Sequence, residues 1–318
     1  MCNAVKFLII MCFFIFCSSV NAIEVYEQGY IVEIYKSYEQ QREARGLAFD
    51  GAGNLYVTHD LTGSVWRITP IGTISEFVTG LKYPVGIVWG GLTSFGDHLY
   101  LVDSETFRGD IIRIDQNSQK SRFTALSADA PSPVCVDRTG NYGGALYVAS
   151  TGDDCIYKID SQGNESVFSS FPYSRNNGGP ASIAVDITGN YGGLMYLATS
   201  YSTRNNADVS GLFSIDTHGK AARFTKDLVQ AYCIAFAPNC ALSEFMYVIG
   251  KNDFDGSIKL WKIDTDGHAT IFASACNEIA FGLDGSLYVS DFSKSNNRVT
   301  ISRIRNKNLD INEFNTAE

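Results

Sequence analysis

The sequence predicts an all-β chain built as a six-bladed β-propeller with four-stranded blades, on three observations. A Leu/Met-Tyr-Val/Leu signature occurs six times, at Leu55-Tyr56-Val57, Leu99-Tyr100-Leu101, Leu146-Tyr147-Val148, Met195-Tyr196-Leu197, Met246-Tyr247-Val248 and Leu287-Tyr288-Val289. Its tyrosines lie 44, 47, 49, 51 and 41 residues apart, the length of a four-stranded sheet unit rather than of a helical hairpin. Downstream of each of the first five signatures, an isoleucine is followed nine residues later by a phenylalanine: Ile68/Phe77, Ile114/Phe123, Ile159/Phe168, Ile215/Phe224 and Ile263/Phe272.

Each unit reads strand by strand. A short apolar first strand (Gly46 to Phe49, Gly86 to Trp89, Val134 to Val136, Ile183 to Val185, Ile234 to Phe236, Ile279 to Phe281) precedes the signature strand. A loop of variable length leads to a third strand ending at the isoleucine, with Ile304 in the last unit. The fixed nine-residue step to the phenylalanine demands a fixed hairpin. Asp160-Ser-Gln-Gly163, Asp216-Thr-His-Gly219 and Asp264-Thr-Asp-Gly267 supply it, with an Asp that bonds its own backbone and a Gly free to take positive φ.

The phrase Gly-Asn-Tyr-Gly-Gly, at Gly140 to Gly144 and again at Gly189 to Gly193, falls between first and second strands. It reads as a structural hairpin whose tyrosine covers the blade edge. Units that cannot bury their own faces must stack, and radial stacking leaves no long exposed edge. Two segments compete to close the ring. Gly29 to Ile34 aligns with Gly72 to Phe77, whereas in Asn308 to Phe314 the aromatic falls ten residues after Ile304. The N-terminal strand is favoured.

Residues 1–22 hold one basic residue, Lys6, then an apolar run from Phe7 to Phe16 and small residues ending at Ala22. This pattern predicts a secretory signal peptide cleaved after Ala22, a single domain over 23–318, and a secreted or periplasmic location. The run is well short of the roughly 20 residues of a membrane span. The formal charge is −9 and becomes −10 without Lys6, which argues against nucleic-acid or anionic-membrane partners. Of eight cysteines, five lie beyond residue 22: Cys135, Cys155, Cys233, Cys240 and Cys276. An odd number leaves at least one unpaired. Cys233 and Cys276, near the starts of first strands in adjacent blades, are the expected disulfide, and Cys135 is expected to be a buried thiol. Asn164-Glu165-Ser166 is a glycosylation sequon in an outer turn.

The stretch Gly46 to Thr69, GLAFDGAGNLYVTHDLTGSVWRIT, resembles the NHL-repeat propellers and the related gluconolactonase-like (senescence-marker-like) and strictosidine-synthase-like proteins. The resemblance runs through the repeats over nearly the whole chain past residue 22. In the gluconolactonase-like enzymes a Glu, two Asn and an Asp near the channel mouth hold a divalent cation that polarises a lactone carbonyl and activates water. This sequence departs from that pattern. The first-blade region is Glu43-Ala44-Arg45-Gly46, and Pro133-Val134, Ala181-Ser182 and Tyr232-Cys233 offer no asparagine. Glu43, Asn277, Glu278 and Asp291 form the altered metal set that the resemblance implies, with calcium or another divalent cation as cofactor.

Loops between blades, and loops between second and third strands, gather on one face, where function is expected. His59, Asp103 and Asp291 share one repeat position just after the second strand; Ser150, Thr199 and Gly250 take it in the other blades. That ring reads as polar or metal-binding, or more simply as turn-capping. Of the histidines His59, His98, His218 and His268, only His59 is on this face, where it reads as a solvated loop residue. No G-x-S-x-G, Walker-type loop or H-E-x-x-H is present.

Two functions follow. The favoured one is a monomeric, cofactor-free module that binds a small ligand or a protein at the loop face, with Arg45, His59, Asp103, Glu105, Arg108, Arg175 and Arg204 as recognition residues. The alternative is a metal-dependent lactonase or ester hydrolase using Glu43, Asn277, Glu278 and Asp291.

Overall fold

The computed structural model describes residues 23–105, 108–170, 178–201, 210–238, 240, 242–252 and 256–307. The strands that these contain form six four-stranded antiparallel sheets, the expected six blades. Blade 1 comprises β2 (Leu47–Phe49), β3 (Leu55–His59), β4 (Ser64–Ile68) and β5 (Ile74–Val78). Blade 2 comprises β6 (Pro84–Trp89), β7 (Leu99–Glu105), β8 (Arg108–Ile114) and β9 (Lys120–Ala125). Blade 3 comprises β10 (Pro131–Val136), β11 (Leu146–Ser150), β12 (Cys155–Ile159) and β13 (Glu165–Ser170). Blade 4 comprises β14 (Gly178–Val185), β15 (Met195–Tyr201), β16 (Gly211–Ile215) and β17 (Ala221–Arg223), so Phe224 lies just beyond its strand. Blade 5 comprises β18 (Gln230–Phe236), β19 (Met246–Lys251), β20 (Ile258–Ile263) and β21 (Ala269–Ala273). Blade 6 takes β22 (Glu278–Phe281), β23 (Leu287–Ser293) and β24 (Arg298–Asn306) from the end of the chain and β1 (Tyr30–Glu39) from its beginning.

The N-terminal strand therefore closes the ring. Asn308 to Phe314, the competing segment, lies outside the described residues. Closure reaches one blade further than expected. Val25 bridges Ala273 of blade 5, and the Tyr26 amide donates to Phe272 O at 2.9 Å. Lys262 of blade 5 donates to Glu27 Oε2 at 2.6 Å while its ammonium lies over the Tyr30, Phe245 and Phe272 rings. One short segment thus latches onto two blades.

The core is divided among the junctions between blades. Along β11, Leu146 and Val148 pack into the cluster shared with blade 2, and Tyr147 and Ala149 into the one shared with blade 4. Side chains alternate across a strand, so a strand with a blade on each side must be apolar on both faces. All five residues of β11 are accordingly buried.

The signature tyrosines mark the centres of these clusters. Tyr56, Tyr100, Tyr147, Tyr196 and Tyr247 each meet, edge-on, the phenylalanine of their own blade, with centroids 5.0–5.3 Å apart. Phe77, Phe123, Phe168 and Phe272 each stand where the ladder to the third strand skips a residue, a β-bulge that turns the ring toward the tyrosine.

The hairpin between third and fourth strands has the expected chemistry. Asp160 Oδ1 accepts from the Gln162 and Asn164 amides at 2.9 Å, and Gly163 sits at φ +86°. The Gly-Asn-Tyr-Gly-Gly hairpins go beyond expectation. Asp137 gathers the amides of Thr139, Gly140, Tyr142 and Gly144, and the Tyr142 hydroxyl crosses into blade 4, donating to Ile215 O and accepting from the Met195 amide at 2.7 Å. Tyr191 repeats this one blade on, with Ile263 O and the Met246 amide. These tyrosines join blades rather than cover an edge.

Candidate functional site

The first strands crowd around the axis. A Cβ on Gly46 would come within 2.9 Å of Val85 O, and one on Gly86 within 2.5 Å of Ser132 O, so glycine is required where these backbones converge. Above this constriction, on the loop face, the six strand starts enclose a central funnel of about 1090 Å³. Every blade contributes: Glu43 to Leu47, Lys82 with Tyr83, Ala130 to Val134, Gly179 to Ile183, Tyr232 to Ile234, and Asn277 to Ile279. Its walls mix polar and apolar surface, and the charged side chains among its described lining residues are Glu43, Arg45, Lys82 and Glu278.

Blade 1 builds the basic side. The Arg45 amide donates to Thr58 O at 3.1 Å, which fixes its backbone against β3. Its guanidinium lies 3.5 Å from Asp60 through Nε and 3.9 Å from Glu43 through Nη1. Asp60 is 2% exposed, and the same carboxylate accepts from Arg42 Nη1 at 3.1 Å and, through Oδ1, from the Leu61 amide at 2.7 Å. Arg42 also donates to the Tyr83 hydroxyl at 3.3 Å.

Blade 6 builds the acidic side. The Asn277 amide donates to Ser290 O at 2.8 Å and the Glu278 amide to Ser290 Oγ at 3.1 Å, so one buried serine sets both residues. The Glu278 carboxyl is enclosed, although the residue as a whole opens partly to the funnel. Cys233 of blade 5 donates its thiol to Glu278 Oε2 at 3.3 Å. Burial pushes the Glu278 carboxyl up to about 7; the thiol bond and the Arg45 charge hold it down, and Glu43 adds to the rise. Burial, with the neighbouring carboxyl, raises the Cys233 thiol far out of the reactive range.

The structure thus brings Arg45, Glu43, Asn277 and Glu278 into one cavity and leaves His59, Asp103, Arg108 and Asp291 outside its lining. His59 is not solvated. It is 2% exposed, hydrogen-bonded through Nε2 to the Tyr38 hydroxyl at 3.0 Å, and burial lowers it to about 4. The closing strand covers it, which local sequence does not reveal. Asp103 accepts from the Lys82 and Tyr83 amides at 2.9 and 2.8 Å and so caps the connection from blade 1 to blade 2. Asp291 accepts from the Phe292 amide at 2.8 Å. Arg108 is exposed at the start of β8, in register with Glu105. The Glu105 side chain, Arg175 and Arg204 lie outside the described residues.

The expected Cys233–Cys276 disulfide is absent. The five cysteines among the described residues are free thiols, and Cys233 is engaged by Glu278 instead. Cys135 is the buried thiol expected of it. Sequence reading missed Asp60 and the inward role of Cys233. The pairing of Asp60 with arginines at 42 and 45 was a local signal that could have found the first.

The donors do not fit a resident divalent cation. The Arg45 guanidinium already stands beside Glu43 and acts on Glu278, and Glu278 accepts from a thiol. Among the described residues, no group of three or more His, Cys, Asp or Glu side chains could hold a metal ion.

Six four-stranded blades around a funnel define the class: a six-bladed β-propeller. No model of a known protein family matches the chain, and no curated protein matches it in sequence. Solved structures do match. A protein of unknown function from Bacteroides thetaiotaomicron aligns at TM-score 0.63 and 12% identity, over 88% of this chain and 77% of that one. A gluconolactonase from Xanthomonas campestris aligns at 0.59 and 11%, over 90% and 95%. An auxiliary nutrient binding protein from B. thetaiotaomicron aligns at 0.59 and 12%, over 89% and 78%. Identities this low show the shared fold alone, and one fold here serves an enzyme and a binding protein.

Proposed function

We propose that this protein is an exported, monomeric propeller that binds a small organic ligand in its central funnel. One observation carries the reading: a cavity of about 1090 Å³, walled by all six blades, in which a few charged groups stand among polar and apolar surfaces. Small-molecule sites are concave and supplied with a few placed polar groups that fix the ligand, at volumes of roughly 300–1,000 Å³. The export half of the proposal rests on residues 1–22, and the absence of a nucleic-acid partner on the acidic charge. No helix among the described residues is long and apolar enough to cross a membrane.

The test is a thermal-shift screen of sugars, lactones, amino acids, organic acids and their amides, repeated on Ala181→Trp. Ala181 lines the funnel, and an indole there would fill part of it. Compounds that raise the melting temperature of the native protein and not of the variant establish funnel binding. Failure of every compound, or equal stabilisation of both proteins, overturns it. Calcium-stimulated turnover of a simple lactone would establish the hydrolase instead.

A further inference from the structure

We infer that the ligand of this funnel is an organic carboxylate, gripped by the Arg45 guanidinium that buried Asp60 braces from behind; the inference rests on the funnel-binding reading above. The surface of a chain with formal charge −9 repels anions, so a site for one must be built against that background. Among the described residues, the lining of the funnel carries two cations, Arg45 and Lys82, and two carboxyls, Glu43 and Glu278, with Arg42 and Asp60 standing next to Arg45. Burial raises the Glu278 carboxyl, so it opposes an incoming anion less than an ordinary carboxylate would.

Arg45 has the right partners to be a receptor rather than half of a closed ion pair. An arginine consumed by a carboxylate forms two short parallel bonds. Arg45 makes neither: its contacts are 3.5 Å to Asp60 through Nε and 3.9 Å to Glu43 through Nη1. Asp60 is shared with Arg42 at 3.1 Å and bound to the Leu61 amide, so its charge orients the guanidinium without satisfying it. The side chain of Arg45 remains 38% exposed and lines the funnel. A planar carboxylate matches the guanidinium fork. The organic body of the ligand would lie against Pro131, Pro133, Val134, Ile183 and Ile279. Asp60 acts here as a positioning residue.

The experiment uses matched acid and amide probes of increasing size, hexanoate with hexanamide and indole-3-acetate with indole-3-acetamide, titrated calorimetrically. The native protein should bind at least one acid about tenfold or more tightly than its amide, the scale of one charge-assisted pair. In Arg45→Gln that preference should collapse to within about twofold, with the amide affinity little changed, and Arg45→Lys should restore part of it. Asp60→Asn should weaken acid binding while leaving amide binding in place. Equal binding of acid and amide, both abolished in Ala181→Trp, would leave the funnel reading standing and overturn the carboxylate. An acid preference that survives Arg45→Gln would overturn it too. If no probe of either kind binds, the carboxylate reading falls, while the funnel reading stands or falls on the screen above.

Discussion

The Tyr35 ring meets the Tyr288 ring edge-on, with centroids 5.1 Å apart and planes at 81°. It is the relationship that Phe77 has with Tyr56 and Phe272 with Tyr247. Tyr35 also sits at a skip in the ladder, between Ile34 and Lys36. The N-terminal strand therefore reproduces the bulged aromatic of a fourth strand and does more than fill a gap in the last blade. Its hydroxyl donates to Thr69 O of blade 1 at 2.6 Å, extending the closure across the junction. Tyr35→Phe should keep the packing and cost about 1 kcal/mol for the lost bond. Tyr35→Ala should cost about 3 kcal/mol, because the aromatic pair opens as well. Urea unfolding of the two variants distinguishes them; equal losses would mean that the ring contact contributes nothing.

Tyr142 and Tyr191 tie blade 3 to blade 4 and blade 4 to blade 5. Each hydroxyl satisfies both a carbonyl and an amide of the next blade. Tyr142→Phe and Tyr191→Phe should each destabilise by about 2 kcal/mol, the cost of leaving buried partners unsatisfied. Thermal melting should show a loss of a few degrees in each variant. Unchanged melting would show that water replaces the hydroxyl.

These features divide by how local their signals are. The blade number, the second strands and the nine-residue hairpins were legible because each is a short pattern repeated in register, as Ile159 and Phe168 illustrate. The alignment of Gly29 with Gly72 placed Ile34, not Tyr35, opposite Phe77. It missed by one residue because a bulge is a property of the pairing and not of either strand alone. Glu43, Arg45, Asn277 and Glu278 line the funnel because they stand at or just before the starts of first strands, which converge on the axis. Cys233 was misassigned and His59 misread because their surroundings come from elsewhere in the ring: Glu278 lies 45 residues from Cys233, and Tyr38 belongs to the closing strand.

The cysteines should all be titratable as thiols. Cys135, Cys155, Cys233 and Cys276 are buried, and burial raises each thiol above its ordinary range. Native protein should therefore react sluggishly with a thiol reagent, Cys240 first, since it alone is not fully buried. Denatured, non-reduced protein should take up a label at all five. A mass showing two unlabelled cysteines would overturn the free-thiol assignment.

Calcium should not stabilise this protein. A cation bound at a hundredfold excess over its dissociation constant would add about 2.7 kcal/mol. Arg45 stands beside Glu43 and its charge acts on Glu278, which disfavours a cation at these two carboxyls. Melting temperatures in millimolar calcium and in chelator should coincide. A calcium-dependent rise that disappears in Glu278→Gln would reinstate the metal reading.

The pH dependence of stability should contain two opposed contributions. His59 is lowered by burial from 6.5 to about 4. In that window the unfolded chain binds the proton and the folded one does not. Its contribution is thus complete above pH 6.5 and is lost as pH falls through 4, up to about 3 kcal/mol. Glu278 is raised by burial from 4.5 to about 7. Here the folded chain holds the proton, so the contribution is complete below pH 4.5 and is lost as pH rises through 7. A shift of this order corresponds to up to about 3 kcal/mol. Between pH 4.5 and 6.5 the two slopes oppose each other, and native stability should vary little on their account. Glu278→Gln removes one slope, so its stability relative to native protein should improve from pH 4.5 to about 7 and level off above that. His59→Phe removes the other, so its relative stability should improve toward acid. Urea unfolding of the three proteins at pH 4.5, 5.5, 6.5 and 8 separates the contributions. A Glu278→Gln profile parallel to that of native protein would show that the carboxyl is already ionised at the funnel floor, and a parallel His59→Phe profile would show that the imidazole is hydrated.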